Sequence, residues 1–238
     1  MIVNYTESGW QIITQRAHGL LAAQICAYWR KDRQPLRWVE TLIAVAEHDD
    51  VYNEWENADL LNESGGPVNF KQTGFKLEYG QRLIGMAETK SAYIALLISR
   101  HIQFVHGDDP MAKTFIKGLK KREGLWLKAA GIDKQEVDQA YELVEFCDAF
   151  SLLICQGLVQ PEGRKIEISK GPDGKAYEMY ASGEGVIVKP WPFEIDSFVI
   201  CWESRTISQL SFTSVAEFRE QVSSAETIAQ TLKFFRAS

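Results

Sequence analysis

A chain of 238 residues, 45% hydrophobic and 24% charged, is long enough to bury a sizeable core and has the composition of a globular protein, not a disordered one. Its formal net charge of -6 leaves no basic excess for a phosphate backbone, which excludes nucleic acid as a general ligand while allowing a local pocket for a small phosphorylated molecule. No apolar run reaches the roughly 18 residues that span a bilayer, and the first residues lack the basic-then-apolar pattern of a secretory signal, so a cytoplasmic protein without membrane contact is expected. Cys26, Cys147, Cys155 and Cys201 show no paired spacing and read as reduced thiols.

Thr6 or Ser8 is a cap for a first helix from about Trp10 to Arg30, along which Ile12, Gln15, His18, Leu21, Ala22, Ile25 and Trp29 form one stripe. His18 therefore faces the core, either as a hydrogen-bonded core residue or as a ligand. The chain turns at Pro35, and a second helix from about Leu36 to Asp49 ends at His48-Asp49-Asp50. An imidazole and a carboxylate side by side at a helix end can grip one divalent cation, and such nitrogen and oxygen donors suit zinc, iron, manganese or nickel. From Asn57 to Gly80, with Gly65-Gly66-Pro67 and Gly74, runs a long irregular connection expected to wall or cover that site. Lys71 within it and Arg82 beyond it read as anion contacts or as solvated charges.

Between Leu77 and His106 two helices break near Ser91. Ile94, Leu97, Ile98, His101 and Val105 share one face, so His101 points inward; His106, five positions on, lies about 140° away. Lys113 to Lys128 is a basic stretch that reads as a solvated helix face. Asp133 caps a strong helix from about Lys134 to Gln156, in which Asp148 has apolar neighbours on every side. A buried carboxylate is costly unless a cation or strong donors meet it, so an arginine, a capped backbone or a metal is required beside it. After Pro161, residues 164–170, 177–181, 185–189 and 197–203 alternate in polarity, with turn signals at Gly171-Pro172-Asp173-Gly174 and Ser182-Gly183-Glu184-Gly185. They predict an antiparallel meander of three or four strands with a protruding first hairpin, then a helix from about Ser214 to Phe235. Pro190-Trp191-Pro192-Phe193 is a stiff aromatic connection expected to pack on the helices.

His18, then His48-Asp49, then Asp148 within Cys147-Asp148-Ala149-Phe150-Ser151-Leu152, stand in an order that resembles the HD superfamily of metal-dependent phosphohydrolases, over about residues 10–156. Gln15-Arg16-Ala17-His18, Ala46-Glu47-His48-Asp49-Asp50, Gly66-Pro67-Val68-Asn69-Phe70, Leu97-Ile98-Ser99-Arg100-His101 and Pro190-Trp191-Pro192-Phe193 further resemble a bacterial family within reach of that superfamily, which brings no established activity. The resemblance implies a mainly α fold with a small β part: an HD-like helical core over residues 1–160, then a small antiparallel β-meander with a C-terminal helix over residues 161–238. It implies that His18, His48, Asp49 and Asp148 ligate one divalent transition metal (Mn, Fe, Ni or Zn).

A second metal, with His101 as an extra ligand and Asp49 bridging, is the arrangement of some members. The second histidine of that arrangement is missing here, so Glu78, Asp50 or Asp59 would substitute, and His101 would otherwise orient a phosphate or act as general acid. The implied activity is hydrolysis of a phosphomonoester or nucleotide by metal-bound hydroxide, with Asp49 or Glu47 handling its proton. Lys71, Arg82 and Arg100 are candidates to neutralise the phosphate. Two other readings share these residues: a non-haem iron oxygenase, and a non-catalytic binding or regulatory protein. Homo-oligomerisation is open.

Overall fold

The chain begins as a β-hairpin whose second strand takes the start of the helix expected from about Trp10. In the computed structural model, which describes residues 1–183 and 185–237, β1 (Ile2–Thr6) and β2 (Gly9–Ile13) pair antiparallel. Tyr5, Trp10, Ile12 and Ile13 are aromatic or β-branched, residues that pack well on a pleated surface. Tyr5 lies opposite Trp10, their rings meeting edge to face at 5.1 Å. A Cβ at Gly9 (φ +118°) would lie 2.1 Å from the Ile207 carbonyl oxygen, so only glycine lets this hairpin lie against β6 (Ser197–Ile207). Helix α1 (Gln15–Ala27) starts only after the hairpin, and its cap is Thr14, not Thr6 or Ser8: the Thr14 hydroxyl accepts from the Ala17 amide.

The middle helices follow the expected order: α2 (Trp38–Glu47), α3 (Leu77–Glu88), α4 (Ala92–His106), α5 (Lys113–Ala130) and α6 (Lys134–Cys155). Ser91 caps α4, and Asp133 caps α6 in a reciprocal box with Glu136. Strands β3 (Ile166–Lys170), β4 (Ala176–Ser182) and β5 (Gly185–Lys189) form the expected meander; Glu184 of its second turn lies outside the described residues. The first hairpin does not stand free, because Arg33 binds Asp173 at its tip. The terminal helix expected from Ser214 to Phe235 stops early. It is α7 (Val215–Ser224), and the chain continues as β7 (Thr227–Phe235), whose Thr, Ile and Phe residues favour a strand.

Among the described residues the strands make one curled mixed sheet, ordered β1-β2-β6-β7-β5-β4-β3. Every pairing is antiparallel except β5 with β7, where Val186 stands opposite Phe234. This overturns the expected HD-like helical core with a small β part. Strand accounts for 22% of the chain against 45% helix, and the sheet takes strands from both sides of residue 160. The reason lies in β7, which enters between β6 and β5 and ties the N-terminal hairpin to the meander.

Helix α1 packs on α2, α6 and β6, and α4 packs on α2, α3, α5 and α6, so α1, α2, α4 and α6 surround one interior. Phe193, in its stiff connection, lies edge-on to Trp29, two residues past α1, at 6.3 Å and to Phe198 of β6 at 4.7 Å, so it packs where the chain leaves α1 and on the sheet, not on the helices alone. Among the described residues no helix is long and apolar enough to cross a membrane.

Candidate metal centre

Three histidines and two aspartates meet inside the four-helix interior. His18 lies one turn into α1, His48-Asp49 follows the last turn of α2, His101 lies late in α4, and Asp148 lies past the middle of α6. Gly19 makes the meeting close. A Cβ there would lie 2.6 Å from the Ala46 carbonyl oxygen, so only glycine lets the end of α2 approach α1 and bring His48 beside His18.

Hydrogen bonds fix which nitrogen of each imidazole faces the centre. The Ser151 hydroxyl donates to the Asp148 carbonyl at 2.9 Å, so it accepts from His18 Nδ1 at 2.8 Å. His48 Nδ1 donates to the Val45 carbonyl at 2.7 Å. In its neutral form each ring therefore turns a lone pair on Nε2 inward, as a metal ligand does. The two Nε2 atoms are 3.2 Å apart.

The carboxylates complete the group. Asp49 Oδ2 lies 3.3 Å from His18 Nε2 and 3.8 Å from His48 Nε2; Asp148 Oδ1 lies 3.8 Å and 3.3 Å from the same atoms. Metal–ligand bonds of about 2.0–2.2 Å set tetrahedral donor atoms roughly 3.3–3.6 Å apart, close to these separations of 3.2–3.8 Å; two sets of three lie within mutual reach of one ion, His18 with His48 and Asp49, and His48 with His101 and Asp148. Asp148 Oδ1 is buried and has no hydrogen-bond partner among the described residues. Such an orphan is costly unless a cation meets it.

His18 and His48 are fully buried, whereas the side chains of Asp49 and Asp148 keep 17% and 11% of their surface exposed, so the group opens to solvent on its carboxylate side. Burial opposes charge on His48, yet the Asp148 and Asp49 carboxylates outweigh it and lift its pKa to about 9. Burial likewise works against the Asp49 carboxylate, and the His48 charge together with the adjacent His101 and His18 rings holds it well below its usual range. Gln15 adds a hydrogen bond to Asp49 Oδ2 at 2.8 Å. His101 Nε2 lies 3.6 Å from the other oxygen, Oδ1, and Nδ1 of the same ring lies 3.4 Å from the Tyr141 hydroxyl.

Other candidates read from the sequence lie elsewhere. Glu47 pairs with Lys90 at 2.9 Å, on the outer side of α2. Arg82 pairs with Glu56, and Arg100 is held between Glu123 and Asp138. Lys71 is exposed above the Phe70 ring. Of the carboxylates that would replace a second histidine, Asp50 binds Arg16, Asp59 binds Lys76, and Glu78 is exposed. His106 is half-buried edge-on to Phe75, where burial lowers its pKa. The irregular stretch after the His-Asp pair walls a cavity of about 360 Å³, lined by Tyr52, Asp59 and Lys76 among others and by none of the five cluster residues.

Sequence reasoning missed Ser151 and Tyr141 as supports, although each shares a face of α6 with Asp148, at three and seven residues' distance. It also missed Glu145, half-buried one turn before Asp148, whose pKa is raised to about 7 by burial, with Asp148 and Glu142 adding repulsion.

Residues 1–209 match a family model described as a protein of unknown function, DUF3891. The chain belongs to the DUF3891 family. All five cluster residues, together with Ser151 and Tyr141, lie inside the DUF3891 match, while α7 and β7 lie beyond it. No curated protein and no solved structure matches the chain.

Proposed function

We propose that the cluster is a divalent-metal site and that this protein is a metal-dependent hydrolase of a small phosphorylated substrate, a phosphomonoester or nucleotide. The observation that carries the reading is the pair of Nε2 atoms facing each other at 3.2 Å beside the orphaned Asp148 Oδ1. His18, His48, Asp49 and Asp148 would hold the ion. When bound, a divalent cation supplies a Lewis acid that lowers the pKa of water toward ~7 and polarises a phosphoryl oxygen.

The chain's own residues do the rest. Ser151 and the Val45 carbonyl hold the two imidazoles in the ligating tautomer. Asp49 Oδ1, turned away from His18 toward His101, is placed to take a proton from an attacking water, and His101 to pass one to the leaving group. Glu47, Arg82 and Arg100 are engaged elsewhere, which leaves Asp49 and His101 as the working pair. The order His18, His48-Asp49, Asp148 supports the reading through its likeness to HD phosphohydrolases at the level of the site alone. Four unpaired cysteines, three of them buried, accord with a cytoplasmic location.

Because three imidazoles and two carboxylates also suit iron, a non-haem iron oxygenase is the second reading. Elemental analysis of protein purified without added metal or chelator, beside an Asp49→Ala control, separates these. The hydrolase reading expects one or two equivalents of manganese, nickel or zinc, with phosphate release that disappears in His48→Ala and Asp49→Ala. Iron with oxygen consumption shifts the assignment to the oxygenase. No metal even after reconstitution overturns both.

A further inference from the structure

The cluster opens to solvent beside a row of carboxylates. Asp138, Glu142, Glu145 and Asp148 follow one another at spacings of four, three and three residues, so they share one face of α6 that runs into the cluster. Asp138 is paired with Arg100. Asp148, at the inner end, is only 7% exposed, and no donor meets its Oδ1. Glu145 lies half-buried between them and has no hydrogen-bond or ion-pair partner among the described residues; the charges that act on it are the carboxylates of Asp148 and Glu142.

The helices that surround the cluster offer Glu145 no base in return. Apart from histidine, α1, α2, α4 and α6 carry Arg16, Arg100 and Lys134 as their basic residues. Arg16 is bound to Asp50, and Arg100 to Glu123 and Asp138. Lys134 comes eleven residues before Glu145, about 17 Å along the axis. Aromatic rings stand closer. Tyr141 lies one turn before Glu145 on the same face, its hydroxyl 3.4 Å from His101 Nδ1. Phe104 of α4 meets the Tyr141 ring edge to face at 6.2 Å and keeps 60% of its surface exposed. A carboxylate without a base, next to an exposed aromatic ring, suits an ammonium group. A second phosphate there would instead meet Glu145 with nothing to offset the repulsion.

We propose, resting on the reading of the cluster as a metal-dependent phosphohydrolase, that its substrate is an amine-bearing phosphomonoester whose ammonium group is held by Glu145 beside the Phe104 ring. The ion takes the phosphate and Glu145 takes the ammonium. Side chains three residues apart on a helix stand about 5–6 Å from each other, so Asp148 at the ion and Glu145 beside it call for a short spacer, two or three carbons between the phosphate and the nitrogen.

Isothermal titration calorimetry on manganese-loaded protein tests this with two phosphonates that cannot be hydrolysed, 3-aminopropylphosphonate and butylphosphonate, which differ by an ammonium in place of a methyl group. The amine binds at least about ten-fold more tightly, the weight of one hydrogen bond to a charged group. Glu145→Gln removes that preference by weakening the amine alone, and Glu145→Asp restores part of it. Butylphosphonate binds both variants as it binds wild type, which reports an intact fold and cluster. Equal binding of the two phosphonates by wild type overturns the proposal, as does a preference that survives Glu145→Gln or a Glu145→Gln variant that weakens both ligands alike. In those cases metal-dependent binding of butylphosphonate to wild type leaves the phosphohydrolase reading standing. If neither phosphonate binds the metal-loaded protein, that reading falls and the proposal with it.

Discussion

Ser151 and the Val45 carbonyl matter to the cluster as much as the ligands do, because they decide where each imidazole keeps its proton. Removing such a support from a metal site weakens binding by about 10–100-fold. Ser151→Ala is therefore expected to lower metal affinity by about that factor while leaving the fold intact, as measured by competition with a chromophoric chelator. An unchanged affinity would show that His18 keeps its tautomer without Ser151. Asp148→Ala removes a ligand outright and is expected to abolish high-affinity binding in the same assay. Both changes touch residues whose inward direction is readable in the sequence: Asp148 stands among apolar neighbours on a long helix, and Ser151 follows one turn later.

Gly19 is where an element's geometry becomes the cluster's geometry. Its missing side chain admits the Ala46 carbonyl, and overpacking a close contact costs about 1–3 kcal/mol. Gly19→Ala is expected to destabilise the protein by that amount and to weaken metal binding by moving His48 from His18; urea unfolding and the chelator assay read the two effects. At the other end of the chain, α7 is held by Glu217, which accepts from the Thr213 hydroxyl at 2.6 Å, the Thr213 amide at 2.7 Å and Gln209 at 2.7 Å. The Thr213 hydroxyl, Gln209 and the Thr213 amide depress its pKa from 4.5 to about 2. A carboxylate held lower in the folded state stabilises above its unfolded pKa and loses that effect as the pH falls through the folded one. The Tm difference between wild type and Glu217→Gln is thus expected to be full above about pH 4.5 and to vanish near pH 2.

On the scale of the whole molecule, the cluster joins four helices that the rest of the chain must hold in place. A ligand that binds only the folded state stabilises it by about 2.7 kcal/mol at a hundred times its Kd. For a domain of this size that is roughly a 5–10 °C rise in Tm, expected on adding the cognate metal and absent in Asp49→Ala. The sheet makes a second demand. Because β7 lies between β6 and β5, ending the chain after Ser224 leaves two long strand edges unpaired and separates the N-terminal hairpin from the meander. That truncation is expected to lose cooperative thermal unfolding, measured by circular dichroism; retained cooperativity would mean the two halves of the sheet stand independently.

What the chain determines by itself is what a few neighbouring residues can encode. Ser91 and Asp133 announce helix starts, and the helical period turns His18, His101 and Asp148 inward. The end of α2 sets His48 and Asp49 side by side. These signals act over one or two helical turns, so they survive without knowledge of the fold. The N-terminal hairpin, the late strand β7 and the partners of Glu47, Arg82 and Arg100 belong to tertiary structure. Residues 10–13 become a strand by resting on β6, whose Ile207 comes near the end of the chain, and β7 becomes a strand by filling a gap between two others. The residues there favour a strand, but their apolar spacing also reads as helical, and pairing between distant segments decides between the two. Which acid a surface base meets depends on which elements the fold sets beside it, and for that reason charges that read as phosphate contacts are spent on Glu56, Glu123 and Asp138.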